Sequence, residues 1–190
     1  NIATSSSKNS DISGEHNINH GNDNIISGNT NTINNNVSNV ISSGSHNVSN
    51  YGSDNSIING SDNELFANNS IVTGLGNEAN GSQVIVGGNA NVTSDKTTNT
   101  IVVGAHNNDS TSNSVVAGGY GENKGNNSIV GGWYNVNLGN NSSTLGTYVT
   151  NRGNNSSVIG EKTNNSSSNT FAGGDSNTVS MGANNSIVGG

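Results

Sequence analysis

The chain has 190 residues, of which only 27% are hydrophobic and 9% are charged, and it contains no proline and no cysteine. Its net charge of −7 argues against nucleic acid or an anionic membrane as a partner, and the lack of cysteine excludes disulfides and thiolate chemistry. Composition alone is typical of an Asn-rich disordered tract, so order has to be found in the pattern.

In chain order, residues 1–8 are predicted to be an N-terminal lead-in, and residues 9–190 form one array of repeats. Each copy is aligned on one reference glycine. Asn stands five residues before this glycine in eleven of the thirteen copies. The residue three before it is apolar in ten copies, and the residue two before it is apolar in eleven. Asn also follows three residues after the glycine in nine of the twelve copies that extend so far. A disordered chain would not keep this phase. The thirteen reference glycines, spaced by 14 or 16 residues, are Gly14, Gly28, Gly44, Gly60, Gly74, Gly88, Gly104, Gly118, Gly132, Gly146, Gly160, Gly174 and Gly190.

The apolar part of each copy is too short for a helix and rich in β-branched residues, so it predicts a short strand. A strand of about five residues, a turn, a looser strand and a second turn fill one copy. We therefore predict an all-β fold, a parallel β-solenoid of about 13 coils with stacked Asn side chains bonded as amide ladders. The two-residue insertions, which follow Gly28, Gly44, Gly88 and Gly174, keep the inward and outward alternation of side chains.

Neighbouring positions of the Ile-Val strand are both apolar, so both faces favour burial, whereas one coil encloses only one interior. The second face then needs another surface, and we expect an oligomer with this strand at the subunit interface. The residues assigned to the core or to that interface are Ile57, Ile71, Val72, Ile85, Ile101, Val102, Val115, Val116, Ile129, Val130, Ile187 and Val188.

Aromatic residues share one phase, two residues after the reference glycine. Tyr120, Tyr134 and Tyr148 occupy it in consecutive coils, between His106 and Lys162, and Trp133 is adjacent. The rings could stack along the solenoid as a structural ladder, or they could form a surface stripe for a receptor, since Trp and Tyr are enriched at binding hot spots. The two interpretations are compatible.

The longer connections are the other exposed candidates for partner binding, with Tyr51 and the pair Asp95 and Lys96 standing out. Phe66 and Phe171 are expected to be packing residues.

The sequence shows no residue pattern that is typical of a catalytic site or a metal site. His16 and His46 would lie two coils apart, about 10 Å, too far to share a metal through direct bonds of about 2 Å. The acids are scattered, and the glycines match no phosphate-binding or dinucleotide-binding motif. We expect no enzyme, no catalytic residues, no cofactor and no metal.

The phrases NSIVTG (69–74), NSVVAG (113–118), NSIVGG (127–132) and NSSVIG (155–160) resemble the degenerate head repeat of YadA-like trimeric autotransporter adhesins, N-S-V-A-I-G. The resemblance covers residues 9–190. It implies a left-handed parallel β-roll in an intertwined or side-by-side homotrimer, held at the cell surface by an outer-membrane anchor in a C-terminal region. Neck, stalk and anchor are expected to lie outside this sequence.

Heads of this family bind host matrix proteins such as collagen, fibronectin or laminin, or receptors such as CEACAMs. The Asn-rich composition suggests an AT-rich organism. Within the family that the chain resembles, the member expected is a fusobacterial, CEACAM-binding one. The first hypothesis is thus an adhesin head, without contact to nucleic acid or membrane. The alternative is a structural spacer of a longer surface protein, with recognition elsewhere. Ice binding fits less well, because Thr recurs at no fixed phase.

Overall fold

The computed structural model of the chain describes residues 1–4 and 7–190. These form two compact units, residues 1–98 and residues 99–190. Within the described residues all regular elements are β-strands, and no helix is long and apolar enough to span a bilayer. Long and short strands alternate along the sequence in about 13 coils, so the predicted all-β parallel solenoid is confirmed.

The strands are numbered in chain order, and the even-numbered strands carry the Ile-Val phrase of each copy. The first thirteen are β1 (Ile2–Ala3), β2 (Asp11–Ile12), β3 (Ile18–Asn19), β4 (Ile25–Asn29), β5 (Thr32–Ile33), β6 (Ile41–Ser45), β7 (Val48–Ser49), β8 (Ile57–Ser61), β9 (Glu64–Leu65), β10 (Ile71–Leu75), β11 (Glu78–Ala79), β12 (Ser82–Asn89) and β13 (Val92–Thr93). The others are β14 (Thr98–Ala105), β15 (Asn108–Asp109), β16 (Val115–Gly119), β17 (Glu122–Asn123), β18 (Ile129–Trp133), β19 (Val136–Asn137), β20 (Ser143–Thr147), β21 (Thr150–Asn151), β22 (Ser157–Glu161), β23 (Asn164–Asn165), β24 (Phe171–Asp175), β25 (Thr178–Val179) and β26 (Ile187–Gly189).

Each unit contains two parallel sheets, one of long strands and one of short strands. In the first unit β8, β10 and β12 pair in register, so that Gly60, Gly74 and Gly88 lie one above another. In the second unit the same register runs from β14 to β26. The segment expected to be a lead-in also contributes a strand, because β1 pairs with β3.

The reference glycine forms a tight corner at the end of each long strand. Gly74 has φ +114°, and a Cβ added to it would stand 2.0 Å from the carbonyl oxygen of Gly88 in the next coil. Both the backbone conformation and the close approach of the next coil therefore require glycine at this phase.

The long strand divides its two apolar positions between the inside and the outside of the coil. The second position points inward, and Val72, Val102, Val116 and Val130 are buried, while Val188 is half-buried. The first position points outward, and its apolar side chains are 37–51% exposed in the coils before the last. These outward residues, here called the outer stripe, are Ile25, Ile41, Ile57, Ile71, Ile85, Ile101, Val115, Ile129, Phe171 and Ile187.

The interior is filled by polar as well as apolar side chains, which explains the low hydrophobic content. In the first unit the Nδ2 group of Asn77 donates to the carbonyl oxygens of Thr73 and Gly88, at 3.0 Å each, and its backbone N–H donates to the Oδ1 atom of Asn63. The same arrangement forms the predicted amide ladder through Asn17, Asn31, Asn47, Asn63, Asn77 and Asn91. Burial of these amides is tolerated because each is hydrogen-bonded.

A second buried ladder in the second unit begins with a carboxyl group. The Nδ2 group of Asn137 donates to Asn123, and that of Asn123 donates to the Oδ1 atom of Asp109, at 2.9 Å in both cases. Burial raises the pKa of the Asp109 carboxyl above its ordinary value, opposed by hydrogen bonds from Thr111 and Asn123. A carboxyl group is thus placed where amides stand in the following coils.

The two-residue insertions lie in the turn that follows the short strand. Residues 34–40 separate β5 from β6, whereas only residues 66–70 separate β9 from β10. The register across the longer coils stays in phase, with Ile25, Ile41 and Ile57 opposite one another. The prediction that even insertions preserve the alternation is confirmed.

Candidate functional site: an aromatic ladder

The aromatic ladder, defined as His106, Tyr120, Tyr134 and Tyr148, lies in the second unit just after the glycine corner. All four residues adopt left-handed backbone conformations, with φ between 53° and 56°. Such a conformation costs about 1–2 kcal/mol for a residue with a Cβ. Backbone bonds between coils hold it, and the N–H of Tyr134 donates to the carbonyl of Gly119 at 2.9 Å.

The rings of the ladder stack face to face along the coils. Ring centroids are 4.9 Å apart between His106 and Tyr120, 4.6 Å between Tyr120 and Tyr134, and 5.1 Å between Tyr134 and Tyr148. The interplanar angles are 17°, 10° and 3° in the same order. Strands of a sheet are about 4.8 Å apart, so the coil spacing itself sets the stacking distance. Each such pair contributes about 0.5–1.5 kcal/mol beyond area burial.

Trp133 stands across this stack instead of within it. Its ring meets Tyr120 edge-on at 5.9 Å and 84°, and Tyr134 at 6.2 Å and 74°. It also covers Gly119 of the adjacent strand, where an added Cβ would lie 1.7 Å from the indole Cζ3 atom. The indole is 47% exposed, so it combines a fixed orientation with an open surface.

Gly119 is the member of this site that the sequence interpretation missed. It occupies the position of Trp133 one coil earlier and provides the space in which the indole lies. The available signal was the second glycine of the pair Gly118 and Gly119, directly before Tyr120.

A charged pair follows the ladder. Lys162 occupies the ladder phase one coil after Tyr148, and its Nζ atom lies 2.8 Å from the Oε1 atom of Glu161. The hydrogen bond and the charge of Glu161 raise the pKa of Lys162, with smaller contributions from Asp175 and Tyr148. The ladder therefore ends in a solvent-exposed, neutralised ion pair, not in an isolated cation.

The structure brings four of the candidate residues together, namely Tyr120, Trp133, Tyr134 and Tyr148. The other three lie in the first unit: Tyr51 is 75% exposed, and Asp95 and Lys96 are exposed in the longer turn after β13. Phe66 and Phe171, which were expected to be packing residues, are 40% and 47% exposed in the single chain. The buried interior holds Val, Ile, Leu, Ala, Ser, Thr and Asn side chains.

Metal ligands do not converge in the part of the chain that the structure describes. No group of three His, Asp or Glu side chains is close enough there to hold an ion. The ring of His106 stacks on Tyr120 as the first member of the ladder.

Comparison with known proteins adds no family. No protein-family model matches the chain, and no curated protein matches it. The resemblance to YadA-like heads therefore rests on the repeat phrases alone.

Proposed function

We propose that the chain is the head of a bacterial surface adhesin that attaches to a host receptor of the CEACAM type or to a matrix protein such as collagen, fibronectin or laminin. The observation that carries the proposal is the cluster of Trp133 with the tyrosine ladder. Three tyrosines 41–54% exposed and one tryptophan 47% exposed form a continuous, rigid aromatic surface. Surfaces of this kind supply the anchor residues of protein interfaces.

Rigidity supports binding as the role of this cluster. The rings are fixed by stacking on each other and on Gly119, so a partner would immobilise few rotatable side chains on contact. Preorganised interfaces bind more tightly because their side chains lose less conformational entropy when the partner binds. The head would act without catalysis and without a cofactor.

The outer stripe supports a homotrimer as the assembled form. In the coils of β8, β10 and β12 it places Ile57, Ile71 and Ile85 side by side on one surface, each about 40% exposed. A contiguous apolar face of this kind marks an interaction site, and two further copies of the chain would present the same face to it. The trimer would stand at the cell surface, anchored through a C-terminal region of the longer protein.

A structural spacer is the second candidate, and the stacking of the ladder favours it. The tyrosine rings cover one another's faces, as they would in a purely structural ladder. Recognition would then lie elsewhere on the longer polypeptide.

Binding of the purified chain to immobilised CEACAM, collagen, fibronectin and laminin separates the two candidates. We expect one of them to bind, and we expect Trp133→Ala and Tyr134→Ala to weaken that binding by about tenfold or more. Leu138→Ala is the matched control, because Leu138 is 38% exposed in the same coil but outside the cluster. Failure of all four proteins to bind would favour the spacer. Full binding by folded Trp133 and Tyr134 variants would restrict the ladder to a structural role.

A further inference from the structure

A groove forms in the first unit where two long coils precede a short one. The turns after β5 and β7 span residues 34–40 and 50–56, whereas the turn after β9 spans only residues 66–70. Tyr51 and Gly52 are the two extra residues of their turn, since Ser53 of this coil aligns with Ala67 of the next and both are fully buried, whereas Tyr51 is 75% exposed. The two longer turns therefore project past the shorter one and leave a step. Its lining, here called the Tyr51 groove, is Asn34, Asn35, Asn36, Asn50, Tyr51 and Phe66.

The two rings of this groove, Tyr51 and Phe66, are both partly exposed. Among the described residues neither Tyr51 nor Phe66 stacks on another ring, in contrast to the ladder. Phe66 is 40% exposed even though it is fully apolar. Aromatic faces of this kind pack against apolar C–H groups, and a pyranose ring presents several such groups on one side.

The amides of the groove are held in place by a chain of hydrogen bonds. The Nδ2 group of Asn34 donates to the Oδ1 atom of Asn50 at 2.7 Å, and the Nδ2 group of Asn50 donates to Glu64 at 2.9 Å. Asn35 and Asn36 are exposed at the tip of the turn, where Asn36 has a left-handed φ of 60°. An amide both donates and accepts, which matches the hydroxyl groups of a sugar.

The charge around the groove argues against an anionic ligand. Residues 9–95 contain no Lys or Arg, whereas Glu64 lies beside Asn50 and Asp54 lies in the turn of Tyr51. No Lys or Arg lines the groove, so a carboxylate, sulfate or phosphate would meet no cation among the lining residues and would be repelled by Glu64 and Asp54. Exposed aromatic rings, hydrogen-bonded amides and a lining without Lys or Arg fit a neutral, hydroxyl-rich ligand.

We propose that the Tyr51 groove binds a neutral saccharide, with a pyranose ring against Tyr51 and Phe66 and its hydroxyl groups on the asparagine amides. This site is separate from the aromatic ladder and does not depend on receptor binding there. A glycan contact in the first unit would give the chain a second, weaker attachment point on a glycosylated surface.

Saturation-transfer NMR on the 190-residue chain tests this site. The neutral probes are lactose, maltose and N,N′-diacetylchitobiose, and sialyllactose is the anionic counterpart of lactose. Transfer to at least one neutral probe is expected at millimolar concentration, with no stronger transfer to sialyllactose. Absence of transfer to every neutral probe, or preferential binding of sialyllactose, overturns the proposal.

Variants locate the binding. Tyr51→Ala should weaken it about tenfold, whereas Tyr51→Phe keeps the ring and should retain most of it. Trp133→Ala, in the other unit, should leave saccharide binding unchanged, so this proposal and the receptor proposal can fail independently. Undiminished binding by folded Tyr51→Ala refutes the assignment. Phe66→Ala provides the same test should the Tyr51 variant fail to fold.

Discussion

The indole of Trp133 lies directly over Gly119 of the adjacent strand and packs in the space that the missing side chain of Gly119 leaves. A Cβ at Gly119 would stand 1.7 Å from Cζ3, so this strand position can carry only glycine while the indole keeps its place. The same placement sets the edge-on contacts of the indole with Tyr120 and Tyr134. The orientation of the exposed tryptophan is therefore decided by a residue without a side chain.

Gly119→Ala should displace the indole without unfolding the coil. Gly119 lacks a left-handed φ, so alanine fits the backbone and the strain falls on the exposed ring. We expect a stability change within about 1 kcal/mol, a shifted tryptophan emission spectrum and a loss of receptor binding close to that of Trp133→Ala. The spectrum is specific because the chain has one tryptophan. Gly189→Ala, where an added Cβ meets nothing within 4 Å, is the control. An unchanged tryptophan emission spectrum in Gly119→Ala would contradict the packing of the indole on Gly119.

The fold could be predicted from sequence because its elements repeat in phase. The thirteen reference glycines predict which residues of neighbouring coils lie opposite one another. The recurring Asn three residues after the glycine predicts the buried amide ladder to which Asn63 and Asn77 belong. The stack of Tyr120 and Tyr134 was predictable for the same reason, since equal phase means vertical neighbours in a solenoid.

Contacts between different phases could not be predicted in this way. The contact between the indole of Trp133 and Gly119 depends on the direction in which a side chain leaves the end of a strand. The Tyr51 groove depends on which turn of the coil receives the two inserted residues, and the spacing of the glycines leaves that open.

Asn77→Ala should destabilise the first unit by about 1–3 kcal/mol, the usual cost of leaving buried polar groups without partners. It removes the donor to the carbonyls of Thr73 and Gly88 and the acceptor of the Asn91 backbone N–H. Denaturant unfolding measures the effect. Asn89→Ala, an exposed asparagine in β12, is the control and should change stability by less than about 0.5 kcal/mol. Equal stability of the two variants would show that the amide ladder is dispensable.

Asp109→Asn should stabilise the chain at neutral pH, by about 1 kcal/mol or more. An amide at this phase can donate to the carbonyl two residues later, as Asn137 donates to Gly139 at 3.0 Å, whereas an ionised carboxylate cannot donate. Because the pKa of Asp109 is raised in the folded chain, the carboxyl costs no stability below its ordinary value of 3.8. The cost grows as pH rises from that value toward the folded pKa and is constant above it.

Thermal unfolding between pH 3 and pH 7 tests the direction in which the stability gain of Asp109→Asn changes with pH. The difference between the Asn variant and the original chain should be smallest at pH 3 and should increase toward neutrality. A variant that is less stable at pH 7, or a difference that shrinks as pH rises, would show that the buried carboxylate is favourable.

Ile71→Asp should dissociate the proposed trimer while leaving each chain folded. Ile71 is 40% exposed in the outer stripe, opposite Ile57 and Ile85 in the neighbouring coils, so within one chain the aspartate would be solvated. In a trimer it would be buried against apolar side chains, and unpaired buried charges are strongly unfavourable. Sedimentation at micromolar concentration should give about three times 19.1 kDa for the original chain and a smaller mass for the variant. Asn89→Asp adds the same charge on the same long-strand sheet but off the stripe and should remain assembled. A monomeric original chain would refute the trimer, and an assembled, folded Ile71→Asp variant would place the subunit interface on another face of the coil.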